Sequence, residues 1–141
     1  MNRRDYDEYL ARFNACDYDG VLSYYAPRFE LSFAGYSFRS RDEVRNLYRF
    51  LHAYVKETVV VEQFLGSETF VAMEARVVLT GIRDLTPAVL EAQGLGRLGA
   101  LAAGQVVEIP QFIHYHLQAG KITRALCAVF VPGPPERHGL Q

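Results

Sequence analysis

The stretch from Thr69 to Thr80, TFVAMEARVVLT, constrains the fold more than any other. Read two residues at a time, it puts Val71, Met73, Ala75, Val77 and Leu79 on one side, with no polar group among them. The other side carries Phe70, Ala72, Glu74, Arg76, Val78 and Thr80. A period of two with one wholly apolar face is the mark of a strand resting on a core. Such a strand needs partners along its edges and a helical layer over its apolar face.

The partners are legible on either side. Thr58 to Leu65 (TVVVEQFL) precedes it across a Gly66-Ser67-Glu68 hairpin turn. Gln105 to Gln118 and Lys121 to Val131 form a second hairpin around Ala119-Gly120. In the first of these, Gln111, Ile113, Tyr115 and Leu117 belong inside, because the alternative face carries Phe112, His114 and His116. In the last strand Ala125, Cys127 and Val129 belong inside, with Arg124, Leu126 and Phe130 outside. The four strands predict a curved antiparallel sheet. Its outer face mixes Phe70, Phe112 and Phe130 with Glu74, Arg76, His114, His116 and Arg124. A face of large apolar and charged groups suits a protein partner, and a homodimer through it is expected.

The helical layer comes from the first third of the chain. Asp5 to Glu8 reads as an acidic capping box, followed by Tyr6, Tyr9, Leu10 and Phe13 at helical spacing. Asp17 caps a second helix, from Tyr18 to Tyr25, which Pro27 closes. Arg28 to Phe33 alternates as a strand and turns at Ala34-Gly35 into a short strand near Tyr36 to Arg39. Ser40 to Glu43 is another capping box, opening a helix to about Lys56 with Val44, Leu47, Tyr48, Leu51 and Val55 on one face. An insertion, residues 82–104, holds Thr86-Pro87 as N-cap and first helical residue and then a Gly/Leu/Ala-rich run. The tail PGPPERHGLQ, residues 132–141, has breaker chemistry and is expected to be flexible. The order is α, α, β, β, α, β, β, insertion, β, β, an α+β arrangement in one domain over residues 1–131.

Composition narrows the function classes. Fifteen basic against sixteen acidic residues leave a net charge of −1, so there is no broad basic footprint for nucleic acid. No apolar run is long enough to span a membrane and no signal-like segment opens the chain, so a cytoplasmic protein is expected. The two cysteines, Cys16 and Cys127, sit in no metal-ligand motif. His114 and His116 share a strand face, but two ligands do not make a metal site.

The segments YLARFNACDYDGVLSYYAP and FIHYHLQAGKI carry a resemblance. Together with the element order, over roughly residues 5–131, they resemble the nuclear transport factor 2-like superfamily, in its SnoaL-like and ketosteroid-isomerase-like branch. The resemblance implies a cystatin-like cone with an apolar pocket between helices and concave sheet. It also implies a small apolar ligand, no metal or organic cofactor, and frequent dimers. The implied activities are polyketide cyclase-like: cyclisation, isomerisation or dehydration of an apolar carbonyl or ring metabolite. The alternative is a non-catalytic ligand-binding or dimerisation module. Carried across, the steroid isomerases' oxyanion-hole tyrosine falls on Tyr9, but their base aspartate falls on Phe33 and their second acidic donor on Ile113. Steroid isomerase activity is therefore not expected.

Three residues stand out for chemistry. Tyr9 puts a phenol on the core-facing stripe, where it can donate to an oxygen gaining negative charge. His52 follows Leu51 on the capped helix and suits proton transfer at the pocket mouth. Gln111, an inward amide, can orient a carbonyl or a water. Phe13, Phe33, Leu47, Leu51, Met73, Val77, Ile113, Tyr115 and Cys127 read as pocket wall, Cys127 as a small hydrophobe. The insertion 82–104 is expected to close the pocket.

Overall fold

The computed structural model describes residues 1–130. The tail residues 132–141, and the last residue of the strand drawn to Val131, lie outside the described residues.

Helix α1 spans Arg3–Asn14 and buries Tyr6, Tyr9, Leu10 and Phe13. Burying such side chains contributes about 1.5–3 kcal/mol each against leaving them in water. The helix starts earlier than the sequence suggests. Asn2 is the N-cap, accepting from the Asp5 N–H, and the Asp5 carboxylate accepts from the Asn2 N–H, both at 2.9 Å. Asp5 thus fills the N3 position of the box, and the extra turn gains an Arg3–Asp7 ion pair.

Helix α2, Tyr18–Leu22, is capped by Asp17 but stops three residues short of Tyr25. Strand β1, Tyr25–Phe33, begins there, so Pro27 lies inside a strand rather than closing a helix. It falls where the register of β1 slips, between Tyr25 and Glu30, a place where a missing N–H breaks no ladder bond. The turn at Ala34 and Gly35 has positive φ at both residues and leads to β2, Tyr36–Phe38. Helix α3, Arg41–Tyr54, has Ser40 as N-cap. Glu43 reaches back one residue further than a standard box, to the Arg39 N–H at 2.7 Å.

Strands β3, Val55–Gly66, and β4, Phe70–Gly81, make the first long hairpin. A short helix α4, Pro87–Ala92, follows Thr86 as N-cap. Strands β5, Val106–Gln118, and β6, Lys121–Val129, close the fold. Their turn, Ala119-Gly120, has φ of 50° and 74°, as a two-residue hairpin loop with the strands' own twist requires.

The strands form one curved, open six-stranded sheet in the order β2-β1-β6-β5-β4-β3. It is mixed rather than wholly antiparallel. β1 runs parallel to β6, pairing Leu31 with Ala125 and Phe33 with Cys127. Val71, Met73, Ala75, Val77, Ile113, Tyr115, Leu117 and Ala125 are all buried, as the alternation requires, whereas Val129, also expected inside, is half exposed where β6 ends.

Two apolar clusters fill the cone. In the larger, α1 lies on the sheet, with the rings of Tyr6 and Tyr9 at 5.9 and 6.1 Å from Tyr115. The smaller joins Leu47 and Val55 to Leu85, Leu90, Leu95 and Leu101 of the 82–104 segment. That segment is pinned through Gly81, whose N–H donates to Gln105 and whose carbonyl accepts from Gly104.

Candidate functional site

Between the two clusters lies a hollow of about 410 Å³. Helix α3 supplies Tyr48 and Leu51 to its wall, and the sheet supplies Phe33, Val77, Leu79, Val107 and Ile109. Leu85, Leu98 and Leu101, from the 82–104 segment, cover it. Its polar groups are Glu57, Tyr48, Gln111 and Cys127.

Glu57 is the one carboxylate in that lining. Helix α3 ends at Tyr54, and Val55 is already extended at φ −133° and ψ 146°. The strand's alternation therefore starts at Val55 and puts Glu57 on the same face as Val59 and Val61, opposite Leu79. One turn back on α3, His52 comes within 3.0 Å of Glu57 through its Nε2. The other ring nitrogen, Nδ1, is 2.8 Å from the Tyr18 hydroxyl. Both side chains are shielded, His52 8% and Glu57 18% exposed. The imidazole packs in one cluster with Tyr18 at 5.7 Å and Tyr48 at 5.4 Å, which are themselves 6.0 Å apart, and Phe13 is edge-on to it at 5.5 Å.

Tyr48 lines the same hollow. Burial pushes its pKa well above the ordinary phenol range, and the nearby Tyr25 and Glu57 raise it further. Burial also lifts the Cys127 thiol to about 12, with Glu57 adding to the rise. Both groups therefore stay protonated at neutral pH.

Of the residues picked out in the sequence, Phe33, Leu51, Val77, Gln111 and Cys127 line the hollow. Tyr9 does not. Its hydroxyl lies 3.3 Å from that of Tyr25, and its ring packs against Tyr6, Tyr24 and Tyr115. Burial, above all, raises both phenols. His52 stands behind Glu57 and reaches the hollow only through it. Met73, Ile113 and Tyr115 belong to the core under α1, and Leu47 to the smaller cluster. Phe13 braces Tyr48 and His52 edge-on. Glu57 is hard to read from the sequence because helical spacing continues to about Lys56, whereas α3 ends at Tyr54. The signal was present in the run Val55, Glu57, Val59, Val61, a lone carboxylate on an apolar strand face.

On the outer face Arg76 bridges Glu62 and Glu108 at 3.1 and 2.8 Å, and Phe70 meets His114 and His116 edge-on. Among the described residues no three His, Cys, Asp or Glu side chains gather as metal ligands, and no helix is long and apolar enough to cross a membrane.

Helices cradled by a curved open sheet, with a covered hollow between them, define the nuclear transport factor 2-like α+β cone. Within that class the chain belongs to the SnoaL-like domain family, whose profile matches residues 6–125. Solved structures share the fold at low identity. A proposed polyketide cyclase from Silicibacter sp. is 21% identical with a TM-score of 0.68, over 89% of this chain and 85% of that one. An LEH-like epoxide hydrolase from M. tuberculosis is 14% identical with a TM-score of 0.65, over 90% and 80%. A protein of unknown function from Burkholderia pseudomallei is 13% identical with a TM-score of 0.68, over 92% of each. No curated protein matches the chain.

Proposed function

We propose that this chain binds a small apolar molecule in the hollow and moves a proton on it without a cofactor. The substrate is a carbonyl-bearing or ring-shaped metabolite, and the reaction is a cyclisation, isomerisation or dehydration. The observation that carries this reading is Glu57, a shielded carboxylate held by His52 and lining an otherwise largely apolar hollow. Glu57 takes the proton. The Tyr48 hydroxyl donates to the oxygen that gains charge, the role the sequence points to for Tyr9, whose own hydroxyl is engaged by Tyr25. Gln111 orients the ligand, and the 82–104 segment keeps water out. The cyclase-like and epoxide hydrolase-like neighbours support a small-molecule chemistry on this scaffold. A homodimer through the outer sheet face completes the reading, supported by exposed Phe112 and Phe130 packed together at 5.6 Å.

Mass spectrometry of whatever co-purifies, followed by turnover assays on cyclic and aromatic ketones, tests the proposal. Glu57→Gln is expected to lower turnover by about 10²–10⁴-fold while ligand still binds. Full turnover in that variant removes Glu57 from the chemistry. Tight binding with no turnover in the parent protein favours the non-catalytic module instead.

A further inference from the structure

His52 has no contact with the hollow of its own, yet it is among the most constrained side chains near it. Four aromatic or carboxylate neighbours fix its place: the rings of Tyr18, Tyr48 and Phe13 packed around it, and Glu57 on Nε2. The hydrogen-bond inventory then points to one tautomer. A carboxylate only accepts, so Nε2 carries the hydrogen that Glu57 Oε2 receives at 3.0 Å. In a neutral imidazole Nδ1 is then the acceptor, and the Tyr18 hydroxyl donates to it at 2.8 Å in preference to the Tyr48 carbonyl oxygen, which lies further off at 3.4 Å. The Cys16 thiol makes a longer contact with the same nitrogen, at 3.8 Å. Only one carboxylate oxygen is used in this way. The other, Oε1, has no hydrogen-bond partner among the described residues, on a side chain that lines the hollow.

We propose that Tyr18, His52 and Glu57 form a fixed triad. His52 is its positioning residue, and Oε1 of Glu57 is the acceptor offered to a ligand, which selects neutral rings that carry an O–H group. The ligand clause rests on the small-molecule reading above; the triad itself does not. Anionic ligands are disfavoured, because the lining contains no Lys or Arg to offset a second negative charge beside Glu57. A phenol or enol supplies the missing donor, and a hydrogen bond to a shielded carboxylate is among the stronger ones available.

Two measurements on the full chain separate the parts. In the first, the protein is labelled with ¹⁵N-histidine, and the His52 signals are assigned by their loss in His52→Gln. The triad requires a single Nε2–H tautomer for His52, which Glu57→Leu releases into a mixture. An Nδ1–H tautomer, or a mixture already in the parent protein, overturns it. In the second, calorimetry compares 2-naphthol with 2-methoxynaphthalene, a ring of similar shape without the donor. The parent protein is expected to prefer 2-naphthol by about tenfold or more. His52→Leu should lose the preference and His52→Gln, whose amide N–H can stand in for Nε2–H, should restore it. Equal affinity of the parent for both compounds overturns the selectivity. Binding of neither sinks the small-molecule reading, and the tautomer still decides the triad.

Discussion

At the residue scale the two thiols and the buried phenols differ only in surroundings. Cys16 is exposed, in a left-handed backbone at φ 56°, whereas Cys127 faces the hollow with its thiol pushed up to about 12 by burial. The thiolate is the reactive species. Cys16 is therefore expected to react with a disulfide reagent at pH 8 within minutes, and Cys127 only when the protein unfolds. Counting released thiolate in native and denaturing buffer checks this, and two fast thiols in native buffer would contradict the placement of Cys127. Tyr9 carries a parallel lesson. Its place on the buried stripe was readable from the spacing of Tyr6, Tyr9, Leu10 and Phe13, but the partner of its hydroxyl, Tyr25, comes from another element. Spacing along a helix says which side a group faces, not what it meets there.

At the scale of elements, the junction between α3 and β3 decides the chemistry. With the helix drawn to Lys56, Glu57 read as a connector. With the helix ending at Tyr54, the same glutamate is the second inward position of a strand. Helix ends are weakly encoded, because the closing turn here has no glycine or proline to mark it. The other decisive joint is Gly81, where the 82–104 segment leaves β4. A Cβ there would overlap the Ala102 carbonyl oxygen, and the glycine also exchanges backbone hydrogen bonds with Gln105 and Gly104. Gly81→Ala is expected to cost about 1–3 kcal/mol and to loosen the segment over the hollow. Denaturant melts and amide exchange at Leu85 and Leu101 measure the two effects. Unchanged exchange there would mean that the joint does not hold the cover.

For the whole molecule, five phenols belong to one desolvated set. Tyr6, Tyr9, Tyr25, Tyr48 and Tyr115 are all raised above the ordinary value of 10.0, chiefly by burial. A group whose folded pKa is raised contributes stability that is full below its unfolded pKa and lost as pH climbs toward the folded one. Stability is accordingly expected to hold up to about pH 9, the ordinary thiol value, and to fall steeply above 10. Absorbance at 295 nm should show these tyrosines ionising together with unfolding. Their smooth ionisation in a still-folded protein would contradict the burial. Self-association is the other property of the whole. If the outer face joins two copies, Phe112→Glu is expected to weaken the dimer by about tenfold or more in sedimentation, and a parent protein that stays monomeric removes the dimer.

By itself the sequence determined the element order and the inward faces of β4 and β5, but not that of β3, where Glu57 turns inward. Alternation and helical spacing are local, and exposing the run of Val, Met and Ala on β4 costs enough to leave no choice there. Only the tertiary structure decided where the hollow lies. Along β4 the positions Met73 and Val77 are equivalent by period, yet α1 covers the rows at Met73, Ile113 and Tyr115 and leaves Val77, Leu79, Val107 and Ile109 under the 82–104 segment. That division depends on how far a helix reaches across a curved sheet. The same curvature brings Tyr18, His52 and Glu57, from three elements, within hydrogen-bonding distance.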